Sequence, residues 1–578
     1  MSNSTNEFDN ISEDDDSSSD TDYHISETES DDISSDDLIS QHEDSFESCA
    51  SDDDLSDSYV NDDNDIVKRT QPDFLKKNGI SWSTQQTQFP GRLHAFRLFI
   101  TKDILNEIVI QTNRYAKRFI DQENQRRLNI RNSHKQSIKW KELDCVELEA
   151  FLGLLIQAGA EFSQHQSLTE LWDINRSRSL YHATMTLERF KNLLRFLRFD
   201  DRQRRNKSDR LAAIQYVFQL FTKQLPRHFI PSENMTIDEQ LVPFRGRCCF
   251  IQYMPQKPAR YGLKFWTLCD VKSRYILALE LYSGKVGNTI QRNISTNIVL
   301  HLVDQLPKNV QQGRNITFDR YFTDFNLVQA LLERKMTSLG VVNHRRSFVP
   351  NELKVIRQDL YSSWFYFSDQ NTLLSYQAKP KKPPIILLST LHDFAEVFDD
   401  EKKLLTMIHD YNQTKFGGDV ADQCINNYTC RRITRRWPMI VFFNMVDIAA
   451  INSLNIWLDQ NPDWNAGKKY VRRLFLEELS KLLTDTHNQR RVKQPRLAPK
   501  IKLALQSLGY ELKPENLVVE DTIDNLVKTK KRCFLCPSHP GRKVRRTCDT
   551  CQKNVCNSHS ISITSVICQS CKKNKSSK

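Results

Sequence analysis

The 578-residue chain has no uninterrupted apolar run near the ~20 residues a membrane span requires, and its first residues carry no basic-then-apolar signal region. Neither a membrane protein nor a secreted one is therefore expected. Cysteine is thin over most of the length. Seven of the 14 are scattered before residue 533, as in a reducing compartment, and a disulfide-stapled scaffold is not expected. Basic residues are missing from Met1 to Val67, a stretch that holds 24 Asp or Glu. The hydrophobic share of 39% supports a sizeable core yet is lean for the whole chain, and length alone points to roughly three to five units.

What is present is charge, sorted along the chain. The net +10 conceals an acidic head and a body with 82 basic against 48 acidic residues. So basic a body favours a polyanionic partner, because neutralising phosphates releases condensed counterions. The head, rich in Ser and Asp, buries too little apolar surface to offset its ordering entropy. It reads as a disordered solubilising tail, or as a nucleic-acid mimic that competes for the basic surface, with Ser12, Ser19 and Ser51 placed to deepen its charge if phosphorylated.

The other seven cysteines cluster at the far end as Cys533-x2-Cys536, Cys548-x2-Cys551, Cys556-x2-His559 and Cys568-x2-Cys571. A two-residue spacing lets a tight turn aim both ligands at one tetrahedral Zn²⁺. Eight ligands suffice for two structural zincs, whose binding would supply the folding energy that so short a module lacks. A cross-brace, first pair with third and second with fourth, is expected, although the spacing also permits sequential pairing.

Residues 101–225 show helical periodicity with interleaved basic residues, among them Arg195, Arg198, Arg202, Arg204 and Arg205, readable as a solvated or a DNA-contacting face. Strand-like runs follow at 264–270 and 275–282, joined by a hairpin turn. Next come a helix at 297–305, a strand at 315–319, a helix at 324–335 and a strand at 338–343, an α/β pattern. Residues 344–404, with several Pro and a basic stretch, read as a β-rich insertion outside that core. Asp270 and Asp319 each end an apolar run. Asp419 and Asp422 follow Gly417-Gly418 three residues apart, on one face of a helix. Such carboxylates could hold two divalent cations for in-line phosphoryl transfer, or could equally be turn formers and N-caps.

Met235-Thr236-Ile237-Asp238-Glu239-Gln240-Leu241, Phe244-Arg245-Gly246-Arg247, Gln256-Lys257-Pro258, Tyr261-Gly262-Leu263-Lys264, Tyr411-Asn412-Gln413-Thr414-Lys415 and Thr434-Arg435-Arg436-Trp437-Pro438 occur in this order. Together they resemble the signature of the piggyBac transposase family, from about residue 95 through the cysteine-rich end. The resemblance implies an RNase H-like catalytic core with a DDE/D active site, in which Asp270, Asp319 and Asp419 hold Mg²⁺ (two ions, replaceable by Mn²⁺) and Asp422 is also required. The glycines stand one place later than in the family's usual Gly-Gly-Val-Asp.

It further implies a domain order. A tail at 1–67 and a linker at 68–95 precede a mostly helical dimerisation and DNA-binding domain split over 96–262 and 429–528. That domain brackets a core at 263–343 and 405–428, with the insertion at 344–404 and a zinc module at 529–578. The implied activity is cut-and-paste DNA transposition in the nucleus by a homodimer, through hairpin ends into TTAA targets. The alternative is a domesticated DNA- or chromatin-binding descendant. Arg431, Arg432, Arg435, Arg436 and Trp437 form a basic segment that could contact DNA, with Trp437 stacking on flanking DNA or packing in the core. Basic runs at 490–493 and 528–532 read as phosphate contacts or nuclear-import signals.

Overall fold

The computed structural model describes residues 78–81, 91–128, 139–173, 178–284, 294–396, 405–495 and 497–512. Of the C-terminal module it describes 531–536, 543–544, 546, 548 and 553–560. The acidic head expected to be disordered lies outside these residues. The chain divides into two units, 1–107 with 199–472 and 108–198 with 473–578.

The first unit is built on a nine-stranded sheet. Its strands are β1 (Asn234–Pro243), β2 (Gln252–Tyr253), β3 (Tyr261–Asp270), β4 (Ile276–Leu281), β5 (Asn315–Phe318), β6 (Thr337–Val341), β7 (Ser363–Ser368), β8 (Asn371–Tyr376) and β9 (Ile385–Ser389). The order across the sheet is β2-β3-β1-β5-β6-β9-β8-β7, with β4 also paired to β3. β1 and β3 are antiparallel, whereas β1, β5 and β6 run parallel. All four residues of β5 are buried, as an interior parallel strand demands. From β5 the chain returns through α2 (Phe325–Glu333) to β6; α1 (Ile294–Asp304) precedes β5. Asp324 starts α2 by accepting a hydrogen bond from the Asn326 amide.

Two expectations change here. The segment 234–243, assigned by the resemblance to the first part of the dimerisation domain, is the strand between β3 and β5. The β-rich segment at 344–404 is no separate sheet. β9 pairs with β6 through Leu387↔Val341 and Leu388↔Gly340, so β7–β9 widen the same sheet. Leu339, Val341, Leu374, Ile385 and Leu387 form one apolar face of it, covered by Met407, Ile408 and Tyr411 of α3 (Thr406–Lys415). Two more helices follow, α4 (Gly417–Asn427) and α5 (Trp437–Gln460).

α5 is long and apolar enough to cross a membrane, yet 94% of its apolar window is buried, and it is a core helix. Its few polar residues explain that placement. Asn452 donates to the Ile276 carbonyl at 2.9 Å and accepts from the Ile276 amide at 3.0 Å, satisfying both polar groups of one β4 residue.

The second unit centres on a helix at Cys145–Ala160, N-capped by Asp144, in which 13 of 16 residues are buried. Gly153 lets the helix at Val471–Val492 approach so closely that Ser480 Oγ donates to its carbonyl at 2.8 Å. Glu147, nearly inaccessible, is held by Arg189 at 2.8 Å. The basic residues of the helical region are largely engaged. Arg198 lies 3.7 Å from the Tyr115 ring centroid and Arg195 4.9 Å from that of Phe119. In the first unit, Arg205 pairs with Asp200.

Asn452→Ala leaves two buried β4 backbone groups unpaired and should lower stability by about 2–4 kcal/mol, read as a fall in the urea midpoint at unchanged slope.

Candidate active site

The parallel register of β1 and β5 runs Asn234↔Asn315, Met235↔Ile316, Thr236↔Thr317, Ile237↔Phe318. One step further puts Asp238, midway along β1, level with Asp319, which follows the last residue of β5, one strand spacing (~4.8 Å) away. Neighbouring amides orient both carboxylates. The Glu239 amide donates to Asp238 Oδ1 at 2.6 Å, and those of Tyr321 and Phe322 to Asp319 Oδ1 at 2.9 and 3.3 Å. Thr323 Oγ1 donates to the Asp319 carbonyl at 2.8 Å and fixes the turn that carries it.

α4 brings the other two carboxylates. A Cβ on Gly417 would stand 2.7 Å from Thr236 Cγ2, and one on Gly418 only 2.5 Å from Asp238 Cβ. Any side chain at either position would lift the helix from β1. Asp419 therefore opens a helix seated on the strand of Asp238, and Asp422 follows one turn on. Asp422 Oδ1 accepts from Gln240 Nε2 and Asn426 Nδ2, both at 3.0 Å, and Gln240 in turn accepts from Asn444 of α5 at 2.8 Å. Lys257, in the turn between β2 and β3, places Nζ 3.1 Å from Asp419 Oδ1.

Asp270 is not in this group. It pairs with Met235, at the other end of β1, about 10 Å along the strand from the level of Asp238. Its buried carboxylate accepts from the Ser232 amide at 2.6 Å and from the Ser273 amide and hydroxyl at 2.7 and 2.6 Å. With its lone pairs so occupied it organises the β3–β4 turn, and the position expected of it is taken by Asp238. The sequence carried one signal for this. Asp238 sits inside the first quoted motif, in a segment whose buried positions at 235–237 and 240–242 mark a strand pressed between neighbours.

Crowding shifts the protons. Burial pushes the Asp238 carboxyl up to about 7, with Asp419 adding to the rise and Lys257 opposing it. Burial likewise raises Asp422. Burial works against the Lys257 ammonium, but Asp238 and Asp419 overcome it and hold that group above the ordinary lysine range. The donors are all carboxylate oxygens, the set preferred by hard Mg²⁺ or Mn²⁺. The burial of Asp238 beside Asp419 concentrates negative charge that a cation would neutralise.

In the C-terminal module, ligand atoms of Cys533, Cys536, Cys556 and His559 all lie within 4.8 Å of one another. This joins the first pair to the third. Desolvation resists ionisation of Cys533, but hydrogen bonds from the Cys556 amide and the His559 ring bring its thiol down to about 6. Cys548 is half-buried, while Cys551, Cys568 and Cys571 lie outside the described residues.

The basic segment is unevenly buried. Arg432 is 5% exposed, Arg431 and Arg436 are half-buried, and Arg435 is exposed. Trp437, half-buried, sits edge-on against Phe250 at 5.1 Å.

Residues 92–454 match a family model described as Transposase IS4. The human PiggyBac transposable element-derived protein 2 is 22% identical over 420 residues, covering 69% of this chain and 67% of that protein. The human PiggyBac transposable element-derived protein 5 is 26% identical over 200 residues, 33% of this chain and 35% of the relative. A solved structure of a piggyBac transposase synaptic complex with hairpin DNA superposes with a TM-score of 0.67 at 30% identity, covering 86% of this chain and all of that one.

A carboxyl raised from its ordinary value of 3.8 to about 7 is protonated more in the folded chain than in the unfolded one. This carboxyl's contribution to metal-free stability is therefore fully present below about pH 4 and is lost as pH rises through 7. Asp238→Asn should flatten this decline and abolish the rise in Tm given by Mg²⁺ at pH 8. Calorimetry with and without Mg²⁺ checks both.

Proposed function

This chain belongs to the piggyBac transposase family, and on that premise we propose that it is an active cut-and-paste DNA transposase whose carboxylates are Asp238, Asp319, Asp419 and Asp422. The observation that carries this reading is the gathering of Asp238, Asp419 and Asp422 where α4 lies on β1, with Asp319 level with Asp238 by the register of the neighbouring strand. Asp238, Asp319 and Asp419 would hold the divalent cations, and Asp422, oriented through Gln240 and Asn444, would join them or brace Asp419. Bound Mg²⁺ would supply activation of the attacking oxygen and stabilisation of the leaving one.

The chain's own groups do the rest. The Tyr321 and Phe322 amides hold Asp319 in orientation, and the Gly417–Gly418 contact holds Asp419 against Asp238. Between them lies the place for a scissile phosphate. Water would first break the strand at a transposon end. The freed 3′-hydroxyl would then attack the opposite strand, closing a hairpin on the element. Opening that hairpin regenerates the 3′-hydroxyl, which would join a TTAA target, each step exchanging one phosphodiester bond for another or for water. The basic body is suited to that substrate, and by the resemblance the enzyme would act as a nuclear homodimer. Relatives described as element-derived support a second reading, a domesticated DNA binder. The complete carboxylate set weighs against it.

In the C-terminal module, the Cys533–Cys536–Cys556–His559 group would hold one structural zinc. Cys548, Cys551, Cys568 and Cys571 would hold a second.

With Mg²⁺ and its own element's ends joined to TTAA-flanked DNA, the wild-type protein should yield nicked and hairpin products on a denaturing gel. Asp238→Ala, Asp319→Ala and Asp419→Ala should each lower cleavage at least a hundredfold while retaining DNA binding. Asp270→Asn should keep cleavage within about tenfold of wild type and chiefly lower Tm. Tight binding without cleavage under these conditions would favour the domesticated reading. Chelation or Cys556→Ser should release bound zinc, measured by metal analysis, and unfold the module.

A further inference from the structure

Lys257 is not placed as a solvent-exposed lysine would be. It follows Met254-Pro255-Gln256 and precedes Pro258, in a loop whose two ring-locked residues limit the backbone. Its amide donates to the Met254 carbonyl at 3.1 Å, and its carbonyl accepts from the Arg260 amide at 3.0 Å. Arg260 itself adopts a left-handed φ of 56°. This tight loop sends the side chain back over the sheet. There it is 22% exposed, with Nζ 3.1 Å from Asp419 Oδ1, while the Asp419 side chain is 56% exposed. A lysine left to solvation would keep its ammonium in water and hold no fixed partner. Here the backbone aims it at the place on the sheet where Asp238, Asp319, Asp419 and Asp422 gather.

The oxygen it contacts is one that a divalent cation would also need. An ammonium at hydrogen-bond distance and a metal ion cannot share one lone-pair direction, and two cations packed together repel. We propose that Lys257 is a tethered counter-cation: it occupies the carboxylate site until a divalent cation displaces it, and so sets the concentration at which the site loads. This rests on the reading of the carboxylates as a divalent-cation site. While the site is unloaded, one positive charge among the carboxylates keeps Asp238 and Asp419 from driving α4 off β1. Loading then requires the lysine to leave Asp419, which its flexible four-carbon stem permits without moving the loop.

The test is a Mn²⁺ titration of zinc-replete full-length protein, read by electron paramagnetic resonance of the free ion. Lys257→Met should bind Mn²⁺ at least fivefold more tightly than wild type, and Lys257→Arg, which keeps the charge, within about twofold of it. Without Mn²⁺ at pH 8, Lys257→Met should melt below wild type, with Mn²⁺ closing the gap. If Lys257→Met fails to give a wild-type circular dichroism spectrum, Lys257→Gln takes its place. Asp238→Asn maps the binding to the site. The proposal is overturned if removing the lysine charge leaves Mn²⁺ affinity unchanged or weaker while Asp238→Asn abolishes binding. If wild type shows no Mn²⁺ binding that Asp238→Asn removes, the reading of the carboxylates fails, and the proposal with it.

Discussion

The parallel pairing of β1 with β5 is the constraint on which the rest of the first unit depends. A one-residue slip would turn Asp238 to the opposite face of the sheet and separate it from Asp319. The register is pinned at the far end of the strands. Asn315 Nδ2 donates to Asn234 Oδ1 at 3.1 Å, and Thr337 Oγ1 donates to Asn315 Oδ1 at 3.2 Å, so a polar ladder aligns β1, β5 and β6 at their first residues. Arg314, almost wholly buried, donates from Nε and Nη2 to the Pro231 carbonyl just before β1. Polar groups buried away from the chemistry thus determine which carboxylates face each other at the other end.

A second consequence concerns charge. Four carboxylates brought together repel, and the sheet would not gather them unless something resisted the repulsion. Gly417 and Gly418 supply closeness, since only absent side chains allow α4 to lie on β1. Asn444 and Gln240 reach from α5 and β1 to hold Asp422, and Thr317 and Thr414, 2.7 Å apart, tie α3 to β5. The helix bearing Asp419 is therefore held by uncharged side chains together with the Lys257 ammonium on Asp419. The scaffold itself thus fixes the carboxylates in place, as a preorganised electrostatic site requires.

Much of this was legible in the sequence. The hairpin of β3 and β4, the alternation through β5, α2 and β6, and the helix-borne Asp419 and Asp422 followed from periodicity and spacing. Asp319 was marked by its place at the end of an apolar run. Asp270 shares that mark, and for it the inference went astray. A carboxylate at a strand end serves equally well as the acceptor for a turn, and which role it takes depends on register, a long-range property that no local pattern contains. The strand at 234–243 was overlooked because it is buried along most of its length and shows no alternation over 235–237. The attachment of β9 to β6 is likewise a pairing between segments far apart in the chain. Lys257 stands in the quoted Gln256-Lys257-Pro258 motif, yet only the turn geometry directs it inward.

The motifs that carry the family likeness divide into two kinds once their contacts are known. Arg247 and Arg436 form a parallel β-bridge. A Cβ on Gly246 would stand 2.4 Å from the Arg435 carbonyl, and Phe250 of the same stretch receives Trp437. The Phe-Arg-Gly-Arg and Arg-Arg-Trp-Pro motifs are thus two halves of one packing contact, and their composition is set by how closely two backbones must pass. The motifs that hold Asp238 and Lys257 meet instead at the carboxylate site, where residue type is set by charge. Within the basic run the exposure is uneven: Arg432 is buried, Arg431, Arg436 and Trp437 are half-buried, and Arg435 is exposed. The positive potential that would draw DNA would come from the sum over the basic body, whereas placement of a scissile phosphate would fall to the few groups where mid-β1 meets the end of β5.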